Sequence, residues 1–261
     1  NWTTTLKVER PFANGLYISG SYLHNRTKSV NDGTNSQARS NWAFGTYQNY
    51  DVNNPPLSTS NFQIGNRINL TGTMPISLGH GIRSYASFFY NGQTGQPYSI
   101  VFNGDANGDG VTTNDVAFVP ASADQVVVIN GTYDQLNAYI QNDCGMSGHR
   151  GAIPLRNACT SPWSNGLDFR YGVTLPTGGK TRVELTVDVI NLLNLFNKNW
   201  GWSFYPNLSS PITIGYGGIN AATGKETLNL STITSPTFQG TFNRDDLRSR
   251  WQAQFGARVR F

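Results

Sequence analysis

The feature that most constrains this chain is a two-residue alternation of apolar and polar side chains, which recurs in seven stretches. Because successive side chains of a β-strand point to opposite faces, each stretch predicts a strand with one apolar and one polar face. The last stretch, RWQAQFGARVRF, shows this best, since its odd positions are apolar and its even ones include Gln252, Gln254, Arg258 and Arg260. The seven stretches are residues 2–10, 16–22, 62–74, 82–91, 167–175, 182–189 and 250–261.

The positions of charged residues support the same alternation. Apart from Arg10, which stands beside a turn, every charged residue in the seven stretches falls on the polar parity. A strand with two chemically opposite faces separates two environments. The charged residues that follow the rule are Lys7, Glu9, Arg67, Arg83, Asp168, Arg170, Arg182, Glu184, Asp188, Arg250, Arg258 and Arg260.

The connections between the strands alternate in length. Short ones at 11–15, 75–81 and 176–180 carry Pro or Gly, as tight hairpins do, whereas long ones cover 24–61, 95–163 and 197–248. Outer-membrane barrels sort their loops in this way, with short turns in the periplasm and long loops outside. The sequence therefore predicts an all-β fold, an antiparallel transmembrane β-barrel whose apolar parity faces lipid and whose polar parity faces the lumen.

The strand count predicts that residues 1–261 are one C-terminal segment of a larger barrel. Seven spans are odd, whereas bacterial single-chain barrels normally have an even number, so we expect at least one strand upstream of Asn1. An open sheet would also leave unpaired backbone groups in hydrocarbon, at several kcal/mol each. No uninterrupted apolar stretch approaches the roughly 20 residues that a membrane helix needs.

The charge and the polar residues argue against two other classes of function. The formal charge of +4 is mild and the Lys and Arg residues are scattered, so nucleic acid binding is not indicated. The histidines, His24, His80 and His149, lie on separate connections, and no Ser-His-Asp grouping can be argued. We therefore do not expect an enzyme.

The segment GDANGDGVTTND, residues 104–115, is the strongest chemical motif. Asp105, Asn107 and Asp109 at alternate positions, followed by Gly110, match the first half of a calcium-binding loop, and Val111 could add a backbone carbonyl. Position 12 of an EF-hand loop would be Val116 rather than Glu, so Asp115 would have to complete the shell. The alternative is a solvated turn rich in Asp and Gly.

Two cysteines, Cys144 and Cys159, enclose a short segment that contains Gly and Pro. A disulfide between them would imply an oxidising compartment such as the periplasm or the cell surface. The alternative is a pair of unbonded thiols.

Three segments resemble the C-terminal end of TonB-dependent outer-membrane receptors. They are SPWSNGLDFRYGVTLP at 161–176, VDVINLLNLFNKNWG at 187–201 and the terminal ARVRF. The preceding HRGAIPLRNACTSPW is similar to the Oar-like subgroup, which carries an N-terminal carboxypeptidase-regulatory-like domain. The resemblance implies a barrel of about 22 strands, with an N-terminal plug and solute import driven through TonB.

The resemblance also implies partners. The terminal residues Trp251, Phe255, Val259 and Phe261 look like the signal that the barrel-assembly machinery recognises. Other expected partners are outer-membrane lipid, the chain's own plug and upstream strands, TonB, and a surface lipoprotein.

Two other functions remain open, a surface structural or adhesive barrel and a passive porin. The transported solute and its binding residues are not identified by the sequence, although loops 24–61 and 95–163 are expected to set specificity. The aromatic residues near strand ends are expected to lie at the membrane interfaces; they are Trp2, Tyr22, Trp163, Trp200, Trp202 and Trp251.

Overall fold

A computed structural model of the chain describes residues 1–33, 35–44, 53–177, 181–205, 212–233 and 242–261. The strands are β1 (Trp2–Pro11), β2 (Tyr17–Arg26), β3 (Lys28–Ser29), β4 (Ser58–Thr59), β5 (Asn66–Gly79), β6 (Ile82–Gln93), β7 (Pro97–Tyr98), β8 (Ile100–Asn103), β9 (Val126–Ile129), β10 (Cys159–Thr160), β11 (Ser164–Pro176), β12 (Arg182–Ile190), β13 (Phe204–Tyr205), β14 (Ile212–Ile219), β15 (Glu226–Asn229), β16 (Asn243–Arg244) and β17 (Gln252–Arg260). The α-helices are α1 (Ala38–Phe44), α2 (Tyr133–Asn142), α3 (Cys144–Ser147) and α4 (Leu192–Phe196).

The seven strands predicted from the alternation form one antiparallel sheet. Its order, β1-β2-β5-β6-β11-β12-β17, follows the sequence, so each predicted strand pairs with the next. The third strand begins at Asn66 rather than at residue 62 and continues to Gly79. The fold is therefore mostly antiparallel β-structure, as predicted.

The register places the apolar side chains of neighbouring strands on one face. One row across the sheet joins Met74, Ala86, Tyr171, Val187 and Phe255, each directly opposite the next. The large side chains of this face are exposed or half-buried, and Phe255 has an exposed fraction of 78%. This face is therefore not the interior of a water-soluble sandwich. Its exposed members include Leu6, Val8, Ile18, Leu70, Met74, Phe88 and Leu185.

The strand ends joined by the short connections all lie at one end of the sheet and those joined by the long ones at the other, because consecutive strands are antiparallel neighbours. Residues 178–180 of the predicted connection 176–180 lie outside the described residues. The β5–β6 turn consists of His80 and Gly81, which both have positive φ, as a two-residue hairpin turn of matching twist requires. The predicted turn at 75–81 was therefore too long.

Pro75 lies inside β5, opposite Tyr85. A proline fits there because β2 pairs with β5 only as far as Thr73, so Pro75 has no partner strand on that side. A methyl group built on Gly15 would meet the Pro75 ring, which shows that the first turn packs against this end of β5.

The sheet is open in the part of the chain that the structure describes. Its edges are β1 and β17, and no described strand joins them into a closed barrel. None of the helices among these residues is long and apolar enough to cross a membrane.

The long connections are not simple loops, which is the main departure from the predicted architecture. Segments 95–163 and 197–248 together build a four-stranded mixed sheet, β8-β14-β15-β9. We call this sheet, together with helices α2 and α3, the loop assembly. β14 runs parallel to β8 and β15 runs parallel to β9, so this sheet is not wholly antiparallel. Parallel pairs require distant segments, and here each pair joins one long connection to the other.

The main hydrophobic core of the described residues belongs to the loop assembly. It contains the large side chains of Phe102, Leu136, Ile140, Met146 and Ile214, all fully buried. The short apolar runs at 100–102 and 126–129 supply strands of this core. The chain therefore has a protein core at the end of the sheet that carries the long connections and an exposed apolar face on the sheet itself.

Candidate functional site

The polar face of the seven-stranded sheet carries an open groove of about 400 Å³. Two pairs of charged side chains in and near it join neighbouring strands. Arg170 on β11 forms an ion pair with Asp188 directly opposite on β12, and Arg260 on β17 lies 3.1 Å from Glu184. These pairs link neighbouring strands of the sheet through their side chains.

Two aromatic side chains interrupt the polar pattern of this groove. Phe89 and Tyr85 stand on the polar parity of β6 and contribute to the lining. A methyl group on Gly172 would collide with the Tyr85 ring, so the ring covers this glycine. The groove therefore combines aromatic surface with paired charges. The lining also includes Thr71, Ser87, Asp168 and Gln254.

The predicted calcium-loop residues lie together in a tight turn of the loop assembly. Asp105 accepts hydrogen bonds from the backbone amides of Gly108 at 2.7 Å and Gly110 at 2.9 Å. Asp109 accepts one from the Val111 amide at 2.7 Å, and Asn107 accepts one from the Asp109 amide at 2.9 Å. The alternate Asp and Asn positions thus organise the turn through their own side chains.

The far end of this turn is fixed by Asp115, which is fully buried. Its Oδ2 accepts from the Ala106 amide at 2.8 Å and from the Asn107 amide at 3.3 Å, so its carboxylate lies against the start of the turn. Burial raises the pKa of Asp115, and the charges of Asp109 and Asp105 raise it further, although the two amides act in the opposite direction. The structure therefore places Asp105 and Asp109 close enough to Asp115 for their charges to interact with it.

Asn114 joins the same cluster, although the sequence did not single it out. Its side-chain nitrogen donates to Asp109 at 2.9 Å, and the residue is fully buried. Among the described residues, no three acidic, His or Cys side chains form a compact metal-ligand group. Oxygen donors here come instead from carboxylates, amides and backbone together.

The predicted pair Cys144 and Cys159 is joined by a disulfide, with 5.6 Å between the Cα atoms. It lies beside Asp143, which caps α3 through the amides of Gly145 and Met146. Burial raises the pKa of Asp143, against the effect of the hydrogen bond from the Tyr98 hydroxyl. A bridge across 15 residues contributes about 3 kcal/mol in the chain-entropy model.

A buried ion pair connects two of the long connections. Arg156, in segment 95–163, lies 3.3 Å from Asp32, in segment 24–61, and the side chains of both are only 2% exposed. Arg156 also donates to the carbonyl oxygen of Ser29 at 2.9 Å. We call this pair and its hydrogen-bond partners the loop latch.

Asp32 accepts from Ser60 at 2.6 Å and from the Asn61 amide at 2.8 Å, in addition to Arg156. Burial alone would raise the pKa of Asp32, but hydrogen bonds from Ser29, Ser60 and Asn61 and the charge of Arg156 outweigh it and lower the pKa. The sequence did not identify this latch.

The residues of the predicted assembly signal lie on the apolar parity of β17 and of the two residues that flank it, Trp251 and Phe261. Trp251, Phe255, Val259 and Phe261 are all exposed. Three of the predicted interface residues, Trp163, Trp200 and Trp202, line a second open groove of about 650 Å³. These three side chains cluster where the strands meet the long connections, whereas Tyr22 lies inside β2 rather than at a strand end.

Comparisons with models of protein families, with curated proteins and with solved structures return no match to this chain.

Proposed function

We propose that this chain forms part of the wall and the outer loops of a bacterial outer-membrane transporter of the TonB-dependent receptor type. The observation that carries the proposal is the exposed apolar face, which stays in register across seven consecutive antiparallel strands. An exposed apolar surface of this extent on a water-soluble monomer would promote association. Lipid is the environment that suits it.

The open edges of the sheet support the idea that the wall continues beyond β1 and β17. Unpaired backbone groups at these edges would cost several kcal/mol each in hydrocarbon, whereas a closed barrel removes them. Additional strands, as in a barrel of about 22, would close the sheet. The apolar parity would then face lipid and the polar groove would face the lumen.

The loop assembly fits the role of an outer cap. All three long connections start from the same end of the sheet, and the disulfide suits an oxidising compartment. The loop latch joins two connections, so the cap would present solute-contacting residues on a defined surface. The import function itself rests on the resemblance of segments 161–176 and 187–201 to TonB-dependent receptors.

The membrane orientation of the sheet is tested by two adjacent residues of β5. We expect Leu70→Arg to make folding into phospholipid vesicles less favourable by about 2–4 kcal/mol, because Leu70 lies on the exposed apolar face inside the strand. Thr71→Arg is the matched control, since Thr71 lines the polar groove. Urea titration of the full-length protein in vesicles measures both.

We expect Thr71→Arg to change stability by less than about 1 kcal/mol, since an added charge on the polar face can remain hydrated. Equal losses for the two variants would contradict the assignment of the faces. Folding of the full-length protein to a monodisperse state in buffer without lipid or detergent would overturn the membrane proposal.

Energy coupling distinguishes transport from the two alternatives. In cells that produce the full-length protein, we expect uptake of its solute to stop when TonB is deleted, while surface binding of the solute persists. Uptake that continues without TonB would identify a passive porin. Surface binding without any uptake in the presence of TonB would favour the structural or adhesive protein.

A further inference from the structure

The turn at residues 104–116 has the backbone arrangement of a cation-binding loop. Three consecutive amides, those of Gly108, Asp109 and Gly110, donate to the Asp105 carboxylate. These bonds fold the chain back over Asp105 and hold its carboxylate within the turn. The side chains of Asn107 and Asp109 follow at alternate positions, each bonded to an amide two residues ahead.

Two buried oxygen atoms in this turn have no hydrogen-bond partner among the described residues. They are the Oδ1 atoms of Asn114 and Asp115, two residues that are fully buried. An unsatisfied buried polar group costs about 1–3 kcal/mol, and more when it is charged. Folded proteins rarely leave such groups without a partner, so these two oxygens point to a ligand.

Both oxygens belong to the acidic cluster rather than to its surroundings. The nitrogen of the same Asn114 amide contacts Asp109, and the other oxygen of Asp115 contacts the amides of Ala106 and Asn107. In the part of the chain that the structure describes, no basic side chain forms an ion pair with Asp105, Asp109 or Asp115. The cluster therefore holds three carboxylates without a compensating cation from the protein.

We propose that this turn binds one calcium ion. The donors are the side chains of Asp105, Asn107, Asp109 and Asp115, with the carbonyl of Val111, and the structure adds Asn114 to the set expected from the sequence. Calcium takes six to eight oxygen ligands in a flexible geometry, so a mixed set of carboxylate, amide and carbonyl oxygens suits it. Histidine and cysteine are absent from the turn, which disfavours softer metals.

Calcium would stabilise the loop assembly because both ends of the turn are anchored in it. The Phe102 amide donates to the Asp115 carbonyl at 2.8 Å, and Val101 forms a β-bridge with Val116. β8, which carries Val101 and Phe102, is in turn the neighbour of β14. The ion would therefore fix the edge of the mixed sheet, and this inference does not depend on whether the protein transports a solute.

Tyr216 provides a spectroscopic probe of this site. Its ring packs against Phe102 with 5.0 Å between the centroids, and a methyl group on Gly104 would meet its Cβ. The tyrosine therefore lies beside the turn, where it can transfer excitation to a bound terbium ion, which replaces calcium at oxygen sites.

The test uses the purified full-length protein in detergent, with terbium luminescence excited through tyrosine and calorimetric titration of calcium chloride. We expect saturable terbium emission that calcium displaces, and a calorimetric stoichiometry of one. Asp115→Asn is expected to weaken calcium binding by about tenfold or more, because it removes one ligand charge at nearly constant volume. Tyr216→Phe should reduce the emission and leave the calorimetric affinity unchanged.

Asp124→Asn is the matched control, since Asp124 is an exposed carboxylate of the same connection outside the turn. It should bind calcium like the wild type. If Asp115→Asn does not fold, Asp109→Asn tests the same prediction, because its amide retains an oxygen acceptor for Val111. The proposal is overturned if the wild type shows no saturable binding at millimolar calcium, or if Asp124→Asn loses as much affinity as Asp115→Asn.

Discussion

Replacing Arg156 with methionine is expected to lower the free energy of unfolding of the loop region by about 3–5 kcal/mol. The reason is that Asp32, whose side chain is 2% exposed, would keep a buried charge without its cationic partner. Chemical denaturation followed by hydrogen exchange of the long connections measures the loss. The strands of the seven-stranded sheet should exchange as in the wild type.

Arg150→Met is the matched control for this variant. Arg150 lies in the same connection and donates to the neutral side chain of Asn137 at 2.7 Å, so its removal leaves no buried charge behind. We expect a loss of about 1 kcal/mol or less. A similar loss for both variants would show that the arginine stem, rather than the buried ion pair, stabilises the connection. The double variant Arg156→Met/Asp32→Asn should recover part of the stability.

The same ion pair makes the loop region sensitive to acid. Because the folded pKa of Asp32 is lowered, its contribution is complete above the ordinary pKa of an aspartate and is lost as the pH falls through the folded value. Asp115 and Asp143 have raised pKa values, so their contributions to the free energy of unfolding become more favourable as the pH falls. The difference in free energy of unfolding between the wild type and Asp32→Asn isolates the contribution of the Asp32 charge. We expect this difference to shrink toward low pH.

The seven-stranded sheet could be predicted from the sequence because its determinants are local. A strand with one apolar face needs only a two-residue period, and its neighbours in space are its neighbours in sequence. The prediction failed at Pro75, which was assigned to a turn. Proline is compatible with a strand where the adjacent strand has ended, and that condition depends on the register of β2 with β5.

The loop assembly could not be predicted in the same way, because its contacts join distant residues. Arg156 and Asp32 are 124 residues apart, and no local spacing relates them. The parallel pairing of β8 with β14 likewise joins two different connections. The apolar run of Ile100, Val101 and Phe102 was the available signal, since a polar solvated loop has no need of it.

The acidic turn at residues 104–116 could be predicted only in part. Its spacing of Asp105, Asn107 and Asp109 is local, and the structure places the three residues in one turn. The sequence did not indicate that Asn114 and Asp115 are fully buried, because burial depends on the packing of the turn against Phe102 and Tyr216. The candidate ligand that was missed, Asn114, is the one whose role depends on that packing.

Phe102 and Phe88 belong to the two kinds of apolar surface in this chain, the buried core and the exposed face of the sheet. Replacing them with alanine is expected to have different effects on stability. Phe102→Ala should destabilise the loop assembly by about 3–5 kcal/mol, because its ring is fully buried in the protein core and a cavity would remain. Phe88→Ala deletes the same atoms from the exposed apolar face of β6, where the ring contacts Phe169. Pulsed proteolysis of the full-length protein in detergent measures the stability of the long connections in both variants.

The loop assembly should lose its protease resistance at lower denaturant concentration in Phe102→Ala and should keep it in Phe88→Ala. Phe102 is surrounded by protein side chains, which cannot fully collapse into the space that it leaves, whereas detergent or lipid refills the surface above Phe88. Losses of equal size in the long connections would mean that the sheet and the loop assembly unfold as one unit. A larger loss for Phe88→Ala would mean that Phe88 is covered by protein, and the assignment of that face to lipid would then be wrong.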